Sequence, residues 1–224
     1  MTARKSPKPA TRAPRKRGGP RRADAGDTRA AVFLAAADAF SRRGFDGVGV
    51  DDIARAAGVN KAMLYYHFKD KRGLYREIVV DMLTAAGARV SAIASEPLPP
   101  DQKLSQFIAE FVRLADARPY FPTLMLREMA EGALHLDADT LAQMRTVFLA
   151  FGRILDEGQR SGAFRPLHPV LAYMTVLGPV MLNAARERAG AQPGRAQLPM
   201  FAQVPHGELI RHMQHVALQM LKKD

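Results

Sequence analysis

The chain has 224 residues, no cysteine and an apolar content of 47%. This length predicts one or two compact units with a real core. The absence of cysteine excludes a disulfide scaffold, a thiolate nucleophile and thiolate metal ligands. The formal net charge of +11 favours a polyanionic partner. No stretch approaches the ~20 apolar residues that a bilayer-spanning helix needs, so we expect no membrane partner.

Positive charge is concentrated at the amino terminus. Residues 1–22 hold nine Lys and Arg side chains, four prolines and no acidic residue. Such a segment cannot bury enough apolar surface to fold alone, so we predict a disordered basic arm over residues 1–26. Arms of this kind contact DNA phosphates and the minor groove, and we expect Arg15, Arg17 and Arg21 to do so. The alternative is a tail that only aids solubility.

After Gly26 the sequence predicts helices and no strand, because apolar residues recur at intervals of three and four. The first four predicted helices span 27–43, 50–57, 60–67 and 70–95. Five more are predicted at 101–117, 119–132, 137–161, 169–189 and 207–223. The predicted fold class is therefore all-α, with about nine helices.

Residues 51–71, DDIARAAGVNKAMLYYHFKDK, have the pattern of two short helices packed at a steep angle. Gly58 stands in the turn, where a left-handed backbone is needed, and Asn60 is a good cap for the second helix. The apolar positions that would pack between the helices are Ile53, Ala54, Ala57, Val59 and Leu64. This pattern is typical of a helix-turn-helix, whose second helix enters the DNA major groove.

Residues 28–74, TRAAVFLAAADAFSRRGFDGVGVDDIARAAGVNKAMLYYHFKDKRGL, resemble the DNA-binding domain of the TetR/AcrR family of bacterial transcriptional regulators. The core of the match, IARAAGVNKAMLYYHFKDK, is much more specific than a generic helix-turn-helix. The resemblance implies a DNA-binding domain over 27–75 and an effector-binding and dimerisation domain over 76–224. It also implies a bacterial cytoplasmic protein associated with the nucleoid.

By this resemblance the third helix is the recognition helix, capped by Asn60. The residues expected at base edges are Lys61, Ala62, Met63 and Tyr65. The residues expected at phosphates are Tyr66, His67 and Lys71, since hydroxyl and ammonium groups suit phosphate oxygens. Tyr65 fits equally well as a cover for the domain core, and the same alternative exists for Tyr66.

Two features depart from the family pattern. Gly49 replaces the usual Ser or Thr before the second helix, which leaves an acceptable cap but a weaker phosphate contact. Ala62 and Met63 are apolar where a polar reader is common. We therefore expect sparse hydrogen-bonded base readout, with thymine methyl contacts and DNA shape contributing more to selection.

The last two predicted helices carry wide apolar stripes that need a partner surface. Two such helices from each subunit would form a four-helix bundle, which the resemblance implies as the mode of homodimerisation. The predicted interface residues are Leu171, Met174, Gly178, Leu182, Leu209, Met213, Val216 and Met220. The alternative is burial of these stripes within a single subunit.

The middle helices are rich in Phe and Met, which can line an adaptable apolar cavity but also fill any helical core. The resemblance implies a small-molecule effector bound among these helices, and the composition favours an apolar one. The apolar candidates are Phe107, Phe111, Met125, Met129, Phe148 and Met174. The polar candidates for orienting the effector are Arg113, Arg127, Glu128 and Asn183.

We expect no catalytic residues, no cofactor and no metal. The sequence holds no Ser/His/Asp arrangement and no phosphate-binding loop, and His212 and His215 lack a third metal ligand nearby. The leading hypothesis is a repressor that binds a palindromic operator as a homodimer and is released by a small apolar effector. The alternative is a sequence-tolerant architectural or nucleoid protein that binds DNA through its arm.

Overall fold

The computed structural model describes residues 22–190 and 206–223. This part of the chain forms nine helices and no strand, which confirms the predicted all-α fold. The helices are α1 (Arg22–Arg43), α2 (Val50–Ala56), α3 (Lys61–Phe68), α4 (Lys71–Ser95), α5 (Pro100–Ala117), α6 (Phe121–Ala130), α7 (Ala138–Arg160), α8 (Pro169–Gly190) and α9 (His206–Leu221). The arm residues Arg15, Arg17 and Arg21 lie outside the described residues.

The start of α1 differs from the prediction. The helix begins at Arg22, inside the segment assigned to the basic arm, so the predicted start at Asp27 is wrong. Asp27 and Thr28 are good capping residues, yet Gly26 continues the helix at the modest cost of glycine inside a helix. The other predicted boundaries agree with the structure to within about two residues.

α4 is the central helix of the fold. It packs on α1, α3, α5 and α7. By length and composition alone it could cross a membrane, but half of its most apolar window is buried inside the protein. Leu74, Ile78 and Met82 are completely buried, as expected of a helix that joins both parts of one core.

Aromatic side chains from α5, α7 and α8 form the centre of the carboxyl-terminal part. The Phe107 ring lies 4.9 Å from Phe111 and 5.1 Å from Phe151, measured between ring centroids. Tyr173 of α8 lies 5.4 Å from both Phe148 and Phe151. Such pairs add stability beyond the burial of their surface, so this cluster holds the three helices together.

The turn after α7 anchors the end of α9. Phe164 donates its backbone N–H to the Gly158 carbonyl at 2.9 Å, and the Arg165 N–H bonds the Leu221 carbonyl at 2.8 Å. The Phe164 ring is buried and lies directly against Gly158. A β-carbon at Gly158 would stand 2.0 Å from Phe164 Cδ2, so only glycine lets the ring approach this closely.

We expect Gly158→Ala to lower the free energy of unfolding by roughly 1–3 kcal/mol, because the buried ring has no room to retreat. The measurement is urea unfolding at fixed protein concentration. Gly152→Ala is the matched control, since it lies in the same helix and its new β-carbon would meet no atom within 4 Å. The control should be neutral or stabilising by up to ~1 kcal/mol. Equal effects of the two substitutions would contradict the proposed steric role of Gly158.

Candidate nucleic-acid interface

α2, the following turn and α3 form a helix-turn-helix. Gly58 adopts φ +67°, the left-handed conformation that glycine reaches without steric cost, and Val59 donates its N–H to the Ala54 carbonyl at 3.0 Å. Ile53 and Leu64 are completely buried, and both helices pack against α1. The turn therefore sets the angle at which α3 projects from the domain.

Capping groups fix the starts of both helices. The Asn60 side chain accepts a hydrogen bond from the Ala62 N–H at 3.0 Å, which confirms the predicted cap of α3. Gly49 takes the cap position of α2 in an extended conformation, and the Asp52 carboxylate accepts its N–H at 3.4 Å. That bond, together with the Arg43 guanidinium at 3.0 Å, lowers the pKa of Asp52 below its ordinary value.

The outer surface of α3 presents most of the predicted contact residues to solvent. Tyr66 is 77% exposed and Tyr65 46% exposed, so neither serves mainly as a cover for the domain core. Lys61 and Ala62 are also exposed, and Met63 is half-buried. These five side chains lie together on one short helix, and we call them the α3 reading surface.

Lys61 is held in place by a partner on α2. Its Nζ lies 3.0 Å from an Asp51 carboxylate oxygen, and this hydrogen bond raises the pKa of Lys61. Asp51 was missed by sequence reasoning, because the ten residues that separate the pair match no helical spacing. The pair directs the Lys61 ammonium group toward the start of α2.

The structure turns two predicted phosphate contacts toward the protein. The His67 Nε2 is buried and has no hydrogen-bond partner within the described residues. The Lys71 ammonium lies 4.1 Å above the Phe45 ring, a cation–π contact. Two further cations near the helix-turn-helix, Lys69 and Arg72, are exposed and were not singled out from the sequence.

The predicted effector residues do not meet in one cavity of the described chain. Phe107, Phe111 and Met125 are core residues, whereas Met129 and Met174 are 60% and 56% exposed. The remaining candidates are placed as follows: Phe148 is half-buried against Tyr173, Arg113 pairs with Glu110, Arg127 donates to the Arg42 carbonyl at 3.0 Å, and Asn183 bonds Arg186 and Glu187. Asn183 lines a small cavity, of about 10 Å³, between α5, α8 and α9.

The predicted dimer residues of α8 face outward. Leu171, Met174 and Leu182 are 56%, 56% and 65% exposed, and Gly178 is exposed between them. On α9, Val216 is 47% exposed, Met213 and Met220 are half-buried, and the Leu209 side chain lies outside the described residues. The opposite side of α8 is buried in the core through Ala172, Val176, Leu177, Val180 and Met181. α8 therefore has one apolar face inside the subunit and a second one in solvent.

An all-helical chain with an amino-terminal helix-turn-helix and an exposed α3 reading surface has the build of a helix-turn-helix regulator. Comparison with known proteins gives the family. Residues 33–78 match the family described as bacterial regulatory proteins, tetR family, and residues 100–189 match the tetracyclin repressor-like C-terminal domain. These two matches cover more than half of the chain. The protein belongs to the TetR family of bacterial regulatory proteins.

Individual relatives are distant. The HTH-type transcriptional regulator RutR of Escherichia coli K12 is 27% identical over 139 residues, which is 62% of this chain and 65% of RutR. The chain thus spans just under two thirds of the length of that relative. IcaR of Staphylococcus aureus strain Newman, a negative transcriptional regulator of the biofilm operon icaADBC, is 48% identical over 40 residues, 18% of this chain and 22% of IcaR.

Solved structures share the fold over most of the chain. The TetR family regulator PfmR from Thermus thermophilus superposes with a TM-score of 0.65 at 25% identity, covering 86% of this chain and 99% of PfmR. The ketosteroid transcriptional regulator KstR2 of Mycobacterium tuberculosis gives a TM-score of 0.68 at 19% identity, covering 88% of this chain and 95% of KstR2. The second likeness shows the fold alone.

Removal of the α3 cap should destabilise the protein. We expect Asn60→Ala to lower the free energy of unfolding by about 1 kcal/mol, because the Ala62 N–H loses its acceptor. Asn60→Ser is the control, since serine caps about as well as asparagine and should leave stability nearly unchanged. Urea unfolding at one protein concentration provides the comparison. If both variants lost the same stability, the cap would not be the cause.

Proposed function

We propose that the protein is a ligand-responsive repressor that binds an inverted-repeat operator as a homodimer and is released by a small apolar effector. The α3 reading surface is the observation that carries this proposal. It combines a capped helix start, exposed Lys61 and Ala62, and two exposed tyrosines on the helix that enters the major groove in helix-turn-helix proteins. In this proposal residues 27–75 bind DNA, and residues 76–224 bind the effector and form the dimer.

The chemistry of the reading surface suggests how DNA is contacted. Lys61 and the Tyr65 hydroxyl are the polar groups available for base edges, while Ala62 and Met63 suit the thymine methyl group. The 77% exposed Tyr66 is free to donate its hydroxyl to a phosphate. Its position beyond the base-reading residues supports a contact that fixes the register of α3 in the groove.

The outer apolar face of α8 supports the homodimer. Leu171, Met174 and Leu182 recur at spacings of three and eight residues, so they form one stripe along the helix, continued on α9 by Val216. A contiguous apolar stripe in solvent marks an interaction surface, and a two-fold interface pairs the same surface with itself. Two reading surfaces related by such an axis suit half-sites about 34–36 Å apart.

The match to a repressor-like domain and the aromatic core support an apolar effector, and a relative supports repression. The tetracyclin repressor-like match over residues 100–189 includes α5, α7 and α8, where Phe107 contacts Phe111 and Phe151, and Tyr173 contacts Phe148 and Phe151. We place an apolar effector among these three helices, which would have to open the packed cluster to admit it. Repression agrees with the negative regulator IcaR, and action on an operator places the protein at the nucleoid in the bacterial cytoplasm.

Selection of bound sequences from random duplex DNA tests the proposal. At about 150 mM salt with excess competitor, which suppresses non-specific phosphate binding, we expect enrichment of an inverted repeat. Tyr66→Phe should then weaken binding to all selected sequences by a similar factor, because a phosphate contact carries no sequence information. Met63→Ala should instead change the preferred base at one position of each half-site.

The same experiment can contradict the proposal that the protein is a sequence-specific regulator. Binding without an enriched sequence that disappears when residues 1–21 are deleted would assign DNA binding to the basic arm. The architectural alternative would then hold. The deletion stops before α1, so it leaves the folded domain intact.

The dimer is tested by charging the outer face of α8. We expect Leu182→Glu to dissociate the homodimer, because a carboxylate buried in an apolar interface lacks a partner. Sedimentation over a range of protein concentrations measures the change. Leu34→Glu is the control, since Leu34 of α1 is 58% exposed compared with 65% for Leu182 but lies far from the stripe along the chain. A wild-type protein that sediments as a monomer would overturn the dimer.

A further inference from the structure

A cluster of metal-ligating side chains lies at the end of α6 and in the turn that follows it. Glu128, Glu131 and His135 bring one ligand atom each to within 4.8 Å of one another. The His135 Nδ1 lies 3.1 Å from a Glu128 carboxylate oxygen and 3.5 Å from a Glu131 carboxylate oxygen. Neither the matched family descriptions nor the relatives' names assign a role to these residues.

The backbone brings the histidine back over the helix end. Gly132 and Ala133 adopt φ +69° and +61°, and two successive left-handed residues reverse the chain. The Ala133 N–H bonds the Glu128 carbonyl at 2.7 Å, and the His135 N–H bonds the Glu128 carboxylate at 3.3 Å. The His135 side chain is 5% exposed and that of Glu128 2% exposed, whereas that of Glu131 is 40% exposed. The cluster is thus rigid on one side and open to solvent on the other.

Two of the three clustered side chains, His135 and Glu128, also contact other polar side chains. The His135 Nε2 faces the Asp46 carboxylate at 3.7 Å, and the Tyr75 hydroxyl donates a hydrogen bond to Glu128. A metal-binding histidine commonly points its other ring nitrogen at a carboxylate, and metal-binding carboxylates are themselves hydrogen-bonded. The surroundings therefore match those of a metal site as well as those of an ion pair.

We propose that Glu128, Glu131 and His135 bind a divalent first-row transition-metal ion, with Zn²⁺ as the best fit, and leave a further position for water. Ligand atoms 2.0–2.1 Å from a tetrahedral ion lie about 3.3 Å apart, close to the 3.1 and 3.5 Å separations from the His135 Nδ1. One imidazole and two carboxylates suit such ions better than Ca²⁺ or Mg²⁺. This inference goes beyond the proposed function and does not depend on it.

A bound ion would replace a direct contact between two of its ligands. In the metal-free protein the His135 Nδ1 lies 3.1 Å from a Glu128 carboxylate oxygen, and the ion would come between these two atoms. The bound ion would join the turn after α6 to Glu128 inside the core. A bound ligand also stabilises the folded state by mass action.

Metal titration of the full-length chain after treatment with a chelator tests the proposal. We expect one Zn²⁺ per chain, and Co²⁺ in its place should give visible absorption bands of a low-symmetry site with nitrogen and oxygen ligands. Glu131→Gln should weaken Zn²⁺ binding by at least about tenfold. This half-exposed side chain is the safest of the three to change, and circular dichroism checks that the variant is folded. Mg²⁺ should not compete.

The histidines of α9 provide the matched control. His212 and His215 are exposed and three residues apart, so they could bind Zn²⁺ weakly at the surface. The double variant His212→Gln, His215→Gln should keep the full affinity and the Co²⁺ spectrum. The proposal is overturned if wild-type protein binds no Zn²⁺ tighter than micromolar, if Glu131→Gln binds as well as wild type, or if the α9 double variant abolishes binding.

Discussion

The hydrogen bond from the Tyr75 hydroxyl to the Glu128 carboxylate joins the start of α4, next to the helix-turn-helix, to α6. Glu128 is almost fully buried, and a buried carboxylate is costly unless its oxygens are bonded. Burial raises the pKa of Tyr75, and the bond to Glu128 raises it further, so the phenol stays protonated and able to donate. α6 cannot leave α4 without leaving that carboxylate short of a partner.

Phe45 extends this junction toward the helix-turn-helix. Its ring lies 5.1 Å from Tyr75 and 4.6 Å from His135, centroid to centroid, and the Lys71 ammonium lies on it. Packed groups of this kind move together, because a close-packed interior does not deform smoothly. A displacement of α6 would therefore disturb the start of α4, next to α3. The proposed effector response has a physical route here, which double-mutant cycles between Glu128 and Lys71 can examine.

Local features were predictable from sequence, and contacts between distant residues were not. The Asn60 cap, the Gly58 turn and the outer stripe of α8 follow from residue type and helical spacing. The Tyr75–Glu128 bond joins residues 53 positions apart, and no spacing rule predicts it. The effector candidates do not come together in the structure for a different reason. Phe and Met fill cores and line cavities alike, so residue type alone could not distinguish the exposed Met129 from the buried Phe107.

The α3 reading surface has few polar groups. One of them, Lys61, is paired with Asp51, and this pair affects how Lys61 can bind DNA in the proposed complex. Asp51 and Lys61 are both exposed, and an exposed ion pair contributes little net stability. Lys61 can therefore exchange the Asp51 carboxylate for an acceptor on DNA at small cost. The Asp51 carboxylate that remains is negatively charged and repels phosphates. It also accepts no hydrogen bond from them, because DNA phosphates have no donor. In the proposed DNA complex Asp51 would thus oppose non-specific binding, and the apolar Ala62 and Met63 would leave sequence choice to methyl contacts and groove shape.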